Sequence, residues 1–225
     1  MTERWNITKE ANNLDATASV ARRLARLLRP GDIVRLSGPL GAGKTTLVRH
    51  LASALGVEPG LVSSPTYVLM NEYPIPASDQ SAEPPAEPRA SVIVHIDAYR
   101  LGSAEDLEST GWDTLKGDEI VLIEWAERVE EALPEEAARV TITPTGERSR
   151  RIEIDAPASW GDRPEAAVLI RDDTVCPVTG RPVSAETPSW PFADEQARMV
   201  DLHRWFSGGY SVSRPIEERD LDLSD

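Results

Sequence analysis

Apolar residues in the first part of the chain predict alternating helices and buried strands. In residues 14–28 they recur at three- and four-residue spacing, which is the period of a helix with one buried face. Residues 44–55 predict a second helix, and the mostly apolar residues 33–36, 92–96 and 120–123 predict short buried strands. Because this alternation is typical of a parallel sheet covered by helices, the sequence predicts an α/β fold with a mainly parallel sheet flanked by helices.

Further segments complete a first domain over residues 1–156. Residues 66–73, 140–142 and 151–154 predict additional strands. Residues 74–90 are polar and rich in Pro, Ala and Ser, and we interpret them as a flexible surface insertion in this domain.

The composition changes after this domain. Residues 157–173 are enriched in Pro, Ala and Asp, which is typical of a linker. Residues 174–213 contain several aromatic side chains and predict a small second module. Residues 214–225 form an acidic tail that we expect to be disordered.

Length and composition are those of a soluble protein. With 225 residues, of which 40% are hydrophobic, the chain can bury one good core and carry a small appendix. No apolar run reaches the length of about 18 residues that a membrane span needs, and residues 1–10 lack the apolar core of a signal peptide. We therefore expect a cytoplasmic protein that does not use a membrane.

Cysteine content and charge exclude other classes. The single cysteine, Cys176, rules out disulfide bridges within the chain and a zinc site built from several cysteines. The net charge of −14 argues against direct, phosphate-neutralising contact of the whole chain with DNA or RNA. Any function that involves nucleic acid would therefore depend on a partner that supplies the basic surface.

Residues 38–45 match the phosphate-binding pattern G-x-x-x-x-G-K-[ST] between the predicted strand 33–36 and the predicted helix 44–55. The glycines allow successive backbone N–H groups to converge on phosphate oxygens, and the start of the helix adds the positive end of its dipole. Lys44 can reach the β- and γ-phosphates, and the Thr45 hydroxyl can ligate Mg²⁺. The sequence thus predicts a protein that binds ATP and Mg²⁺.

Two carboxylates follow predicted strands. Asp97 comes directly after residues 92–96, and Glu124 comes directly after residues 120–123. Ligands collect at this edge of open α/β sheets, and phosphate-loop enzymes need a carboxylate there for Mg²⁺ or its waters. Either residue could be an ordinary solvated acid, but beside a complete phosphate loop we interpret both as site residues.

Two other polar residues have alternative interpretations. Thr66 could sense the γ-phosphate, as switch threonines do, but its spacing favours a plain loop stiffened by Pro65. His95 lies inside an apolar strand, which favours a packed, hydrogen-bonded histidine over a catalytic one.

Five stretches resemble one family when they are taken in order. They read GPLGAGKTTLVRHLASALG, SSPTYVLMNEY, HIDAYRL, EDLESTGWDTL and VLIEWAER. Together they resemble the TsaE family, the ATPase component of tRNA threonylcarbamoyladenosine biosynthesis, over about residues 10–155. The phosphate loop is shared by many families, whereas the strings after it are far more specific. The resemblance implies a small P-loop NTPase domain that hydrolyses ATP.

The resemblance also implies roles for single residues. Lys44, Asp97 and Glu124 would be catalytic, with Asp97 acting at the γ-phosphate or on a metal-bound water, and Thr45 and Glu124 would hold Mg²⁺. Thr66 would belong to a switch-like loop. The full set expected around the nucleotide, with Leu14 at the adenine, is Leu14, Gly38, Leu40, Gly41, Ala42, Gly43, Lys44, Thr45, Thr46, Thr66, Asp97 and Trp125.

The implied role is to support threonylcarbamoyl transfer to adenosine-37 of tRNAs that read ANN codons. ATP binding and hydrolysis would act on a partner complex of the transferase TsaD with TsaB, and tRNA would be reached only through these partners. The chain departs from the family at Pro39, where an acidic residue is common, and in the length of the insertion at 74–90.

Residues 174–213 resemble a second family, the zinc-binding DNA gyrase inhibitors called YacG. That family holds one zinc with C-x2-C followed by C-x3-C, and the corresponding positions here are Cys176, Thr179, Ala193 and Ala197. Because alanine has no donor atom and threonine has a poor one, we predict no zinc and do not carry over gyrase inhibition or DNA binding.

Two other functions compete with partner-dependent ATP hydrolysis. A small-molecule kinase would need a lid with arginines and an acceptor pocket, and the sequence shows neither. A nucleotide-dependent binding module without useful turnover is favoured mildly by Pro39, which lacks a backbone N–H for phosphate.

Overall fold

The computed structural model describes residues 3–65, 69–76 and 90–207, which form two compact units that divide between Ile170 and Arg171. The first unit contains β1 (Arg4–Ala11), α1 (Leu14–Leu27), β2 (Ile33–Ser37), α2 (Lys44–Ala54), β3 (Met70–Pro74), β4 (Val92–Asp97), α3 (Ala104–Glu108), β5 (Ile120–Glu124), β6 (Ala138–Pro144), β7 (Arg150–Pro157) and α4 (Ala166–Ile170). The second unit contains β8 (Thr174–Val175), β9 (Pro182–Val183) and α5 (Glu195–Phe206).

The sheet of the first unit has parallel strands at its centre and antiparallel strands at its edges. Its strand order is β1-β7-β6-β2-β5-β4-β3. The central strands β6, β2, β5 and β4 run parallel, whereas β3 is antiparallel to β4, and β7 is antiparallel to both β6 and β1. The predicted α/β class is therefore confirmed. The carboxyl ends of β2, β4 and β5 meet at one edge, where ligands of such sheets bind.

The predicted strands at 33–36, 92–96 and 120–123 are confirmed as β2, β4 and β5. The strand β1 was not predicted from the sequence; it is an edge strand that alternates buried or half-buried side chains such as Ile7 and Ala11 with exposed polar ones. Its apolar residues never form a continuous run, so the available signal was a period of two within a polar segment.

Two hydrophobic clusters cover the two faces of the sheet. On one face, α1 and α2 pack with fully buried side chains such as Leu24, Leu36 and Leu51. On the other face, Val94 and Ile123 belong to a second cluster. Fully burying one such side chain stabilises the fold by about 1.5–3 kcal/mol. Because they pack on both faces of the sheet, these clusters keep the strand ends that carry the candidate site in place.

Residues 158–170, which the sequence analysis assigns to a linker, belong to the first unit. They form a 3₁₀ turn followed by α4, and the side chains of Trp160 and Leu169 are buried in its core. Arg163 donates two hydrogen bonds to the Asp32 carboxylate, at 2.6 and 2.9 Å. The partners of this segment are distant in sequence, so its Pro- and Ala-rich composition was misleading.

Several predicted segments fall partly or wholly outside the described residues. This applies to most of the insertion at 74–90 and to the tail at 214–225, although Ile75 packs against the core and Ala90 is buried. The predicted strand at 66–73 is confirmed only in its second half, as β3. Within the described ranges, no helix combines the length and the apolar character needed to cross a membrane.

The second unit encloses a small core around Cys176. Cys176, Val183 and Ala197 are buried there, and Trp190 and Phe192 pack against them. Cys176 directly follows β8, Val183 lies on β9, and Ala197 lies on α5. The unit therefore has an ordered local core, although it is small.

The thiol of Cys176 is surrounded by hydrogen-bond donors. Burial raises the pKa of Cys176, but hydrogen bonds from the Thr179 hydroxyl and from the backbone amides of Thr179, Ala193 and Val178 outweigh burial and lower this pKa to about 7. In the described part of the chain, no three His, Cys, Asp or Glu side chains are grouped so that they could hold a metal. The absence of zinc stays a prediction.

Candidate nucleotide and magnesium site

The phosphate loop joins β2 to α2 at the edge of the sheet where the parallel strands end. Gly38, Gly41 and Gly43 have φ angles of 142°, 75° and 107°, a region that favours glycine. At Gly38 space matters as well, because a Cβ there would lie 2.4 Å from the carbonyl oxygen of Ile142 on β6. The loop therefore needs glycine both for its conformation and for its close approach to the sheet.

Lys44 is buried at the start of α2, and its side chain lies within the loop. Nζ donates hydrogen bonds to the carbonyl oxygens of Gly38 and Pro39, at 2.7 and 3.1 Å, and lies 3.5 Å from the centre of the Trp125 ring. Burial lowers the pKa of Lys44, and nearby carboxylates, chiefly Glu124, oppose this effect. This arrangement places a cation in the loop that the sequence predicts to bind phosphate.

Thr45 and Glu124 form a hydroxyl–carboxylate pair beside this cation. Thr45 Oγ1 donates to Glu124 Oε2 over 2.9 Å, and Glu124 is only 3% exposed at the end of β5. The second carboxylate oxygen, Oε1, lies 2.9 Å from Nε2 of His95, which is fully buried on β4. Burying a carboxylate requires such partners, so both of its oxygens are fixed.

Asp97 ends β4 and lies opposite Glu124 in the strand register. Its Oδ2 accepts a hydrogen bond from the Ser64 hydroxyl, and its Oδ1 accepts one from the Tyr99 backbone N–H, both at 3.1 Å. The Ser64 contact connects residues 63–66, the polar segment before β3, to Asp97. Thr66 lies two residues further along that segment, outside the described residues, so its predicted switch role has no structural description.

Trp125 follows Glu124 directly and has a φ of 57°, which is uncommon for a residue with a Cβ. A residue in such a conformation costs about 1–3 kcal/mol and is often found at functional sites. The Trp125 ring lies 5.0 Å from the Tyr99 ring between centroids, and the Arg128 guanidinium lies 5.6 Å from the centre of the Tyr99 ring. The strained residue is thus the one whose ring covers Lys44.

The other residues predicted to contact the nucleotide differ in their burial and position. Ala42 is buried within the loop, Leu40 is 86% exposed, and Thr46 lies in the first turn of α2. Leu14, expected beside the adenine, opens α1 with a side chain that is 59% exposed. It is not among the described side chains that meet around Lys44.

Arg150, which was not predicted as a site residue, begins β7 and supports the phosphate loop. Its Nε donates to the Ala42 carbonyl oxygen over 2.8 Å, and its Nη1 donates to the carbonyl oxygens of Ser149 and Gly146, at 2.8 and 3.2 Å. Arg150 therefore ties the turn between β6 and β7 to the loop. No local pattern distinguishes it from its neighbouring arginines, so this role becomes visible only in the fold.

These elements combine a loop of backbone amides, a lysine, a hydroxyl–carboxylate pair and a second carboxylate. Loop amides and a helix N-terminus suit phosphate, and hydroxyl and carboxylate oxygens suit Mg²⁺. A mixed sheet with parallel central strands and a G-x-x-x-x-G-K-T loop after β2 defines a P-loop NTPase-like α/β protein.

Comparison with known proteins narrows this class to a family. The family described as "Threonylcarbamoyl adenosine biosynthesis protein TsaE" matches residues 11–152, and the chain belongs to it. The resemblance found in the sequence is thereby confirmed. The match ends before the second unit, so the likeness of residues 174–213 to gyrase inhibitors stays a prediction.

Individual relatives agree with this assignment. The tRNA threonylcarbamoyladenosine biosynthesis protein TsaE of Streptomyces coelicolor is 44% identical over 55% of this chain and 76% of its own length. The TsaE protein of Bacillus subtilis is 33% identical over 64% of this chain and 82% of its own length. The crystal structure of Bacillus subtilis YdiB is similar, with a TM-score of 0.52 and 26% identity, and the similarity covers 75% of this chain and 97% of that one.

Proposed function

We propose that this protein binds ATP with Mg²⁺ and hydrolyses it, and that it thereby supports formation of the threonylcarbamoyl group on adenosine-37 of tRNAs that read ANN codons. The observation that carries the proposal is the 2.9 Å contact of Thr45 Oγ1 with Glu124 Oε2 beside Lys44. A phosphate-loop hydroxyl next to a strand-end carboxylate provides the oxygen donors suited to a nucleotide-bound magnesium. The family to which the chain belongs provides the link to tRNA modification.

Lys44 and the loop amides would bind the triphosphate. The Lys44 ammonium contacts the neutral carbonyl oxygens of Gly38 and Pro39, whereas an anionic phosphate oxygen would add the attraction between two full opposite charges, which is strong at a buried position. Phosphate oxygens therefore compete well for Lys44. Trp125, whose ring centre lies 3.5 Å from Nζ, would shield the lysine from water on that side.

Thr45 and Glu124 would hold Mg²⁺, since both donors are oxygen atoms and already lie side by side. When bound, this ion offsets the charge that develops on the phosphate oxygens. Asp97 has both oxygens oriented by hydrogen bonds, and it would act at the γ-phosphate or on a water. Because that role grows as charge develops, Asp97→Ala should lower turnover more than ATP binding.

The partners follow from charge and family. A net charge of −14 makes the whole chain a poor direct ligand for tRNA or DNA, since both carry phosphate backbones. We therefore propose that it acts in the cytoplasm on a TsaB–TsaD-type protein complex, which would bind the tRNA, without a membrane or DNA. Hydrolysis would act on that complex.

An ATP hydrolysis assay with and without a TsaB–TsaD complex tests this proposal. We expect Mg²⁺-dependent turnover that rises with the complex and falls by about 100-fold or more in Lys44→Ala and Glu124→Ala. Lys116→Ala and Glu136→Ala, which remove the same charges at exposed positions, should leave turnover unchanged.

Two other outcomes of this assay would contradict the proposal. Tight ATP binding without turnover under any condition would identify a nucleotide-dependent binding module. Transfer of phosphate to a small acceptor would identify a kinase.

A further inference from the structure

His95 and Glu124 lie on neighbouring parallel strands and on the same face of the sheet. The register pairs His95 with Leu122 and Asp97 with Glu124, so His95 and Glu124 are diagonal neighbours. Long side chains can bridge such a diagonal. The bridge is made here, since His95 Nε2 lies 2.9 Å from Glu124 Oε1.

Among the described residues, the hydrogen-bond partner of the buried His95 ring is Glu124, and the Tyr73 ring lies 6.2 Å away between centroids. An ionised carboxylate only accepts hydrogen bonds, so this contact assigns the proton to Nε2. The other ring nitrogen, Nδ1, is buried without a hydrogen-bond partner in the described part of the chain. An apolar side chain would fill this position without that cost. The hydrogen bond to Glu124 is the contact at this position that an apolar side chain could not make.

This contact restricts the orientation of the Glu124 carboxylate. With Oε1 held by His95, Oε2 stays directed at Thr45 Oγ1, 2.9 Å away. We propose that His95 is a positioning residue that presents the Glu124 carboxylate to magnesium. The inference rests on the proposed function, in which Thr45 and Glu124 hold the ion. Losing such a supporting partner typically lowers metal affinity by about 10–100-fold.

Equilibrium ATP binding at varied Mg²⁺ concentration tests this role without measuring turnover. The quantity of interest is the Mg²⁺ concentration that gives half of the maximal tightening of ATP binding. We expect it to rise about 10–100-fold in His95→Phe and His95→Asn. His95→Gln should stay within about threefold of the parent protein, because the Gln amide N–H reaches the position of Nε2 and the Asn amide does not.

Two controls separate positioning from folding. ATP affinity in EDTA should change less than about twofold in every His95 variant, since Lys44 and the loop amides are untouched. Val94→Ala removes buried volume on the opposite face of the same strand, so it should lower stability without changing the Mg²⁺ response. If His95→Phe does not fold, the contrast between His95→Asn and His95→Gln decides the question.

The outcomes are distinguishable. A Mg²⁺ response that stays at the parent value in His95→Asn and His95→Phe would overturn the role of His95 and leave the proposed function intact. An equal shift in Val94→Ala would also overturn it, because the effect would then be one of general stability. A parent protein whose ATP binding ignores Mg²⁺ would refute the proposed function itself.

Discussion

Gly38 offers a quantitative test of the phosphate-loop geometry. Its φ is 142°, and a Cβ built on it would lie 2.4 Å from the Ile142 carbonyl oxygen and 3.3 Å from Ala42 Cβ. Ordinary contacts begin at 3.4 Å, so Gly38→Ala must push the loop and β6 apart by about 1 Å. The same shift would move the carbonyl oxygen that accepts from Lys44.

Two costs contribute to the loss of stability. A residue with a Cβ in the left-handed region costs about 1–2 kcal/mol, and overpacking against a fixed backbone costs about 1–3 kcal/mol. The free energy of unfolding should therefore fall by about 2–5 kcal/mol in Gly38→Ala. Gly41→Ala is the matched control, because its φ is 75° but no described atom lies within 4 Å of the added Cβ. It should lose only about 1–2 kcal/mol.

Equilibrium urea unfolding of the full chain measures both losses, and titration with ATP measures the effect on binding. We expect Gly38→Ala to lose about 1–3 kcal/mol more than Gly41→Ala and to bind ATP more weakly than the parent. Equal losses of stability in the two variants would show that the approach to Ile142 does not constrain Gly38.

Three further predictions test other parts of the structure. Arg150→Ala should weaken ATP binding in a calorimetric titration by about tenfold or more, because it removes a charged hydrogen bond to the loop worth about 1.5–3 kcal/mol. Arg151→Ala, which changes an exposed neighbour, should leave ATP binding unchanged. Equal effects of the two substitutions would contradict the role of Arg150. Leu169→Ala should lower the free energy of unfolding by about 2–5 kcal/mol, because its side chain is fully buried in the core, whereas Ile170→Ala, 53% exposed, should cost far less. The pKa of Cys176 is lowered from 9.0 to about 7, so the folded chain releases the thiol proton at a lower pH than the unfolded chain does. The free energy of unfolding should therefore rise between about pH 7 and pH 9, and this contribution is lost as the pH falls through 7. Cys176→Ala should remove that rise in urea unfolding, and a rise that persists would contradict the assignment.

Much of the candidate site was predictable because its signals are local. The phosphate loop is one contiguous pattern, and Asp97 and Glu124 each follow an apolar run. Parallel strands present their carboxyl ends at one edge of the sheet, so these acids are expected near the loop even when the strand order is unknown. Placement of Asp97 opposite Glu124 in the register agrees with that argument.

The contacts that hold the sheet together and support the site were not predictable, because they join distant parts of the chain. β1 pairs with β7, so Arg4 meets Asp155 across 151 positions, and Arg150 reaches the Ala42 carbonyl across 108 positions. For His95, the apolar strand indicated burial, but the partner depends on the register of β4 with β5. Periodicity and composition contain none of this information.

The nucleotide site is tested most simply by a calorimetric titration of ATP into the full chain with and without Mg²⁺, repeated with Lys44→Ala. We expect one ATP per chain, with tighter binding when Mg²⁺ is present and a large loss of affinity in Lys44→Ala. No binding at millimolar ATP with Mg²⁺, or equal binding by the variant, would contradict the claim that the loop around Lys44, Thr45 and Glu124 is a nucleotide and magnesium site.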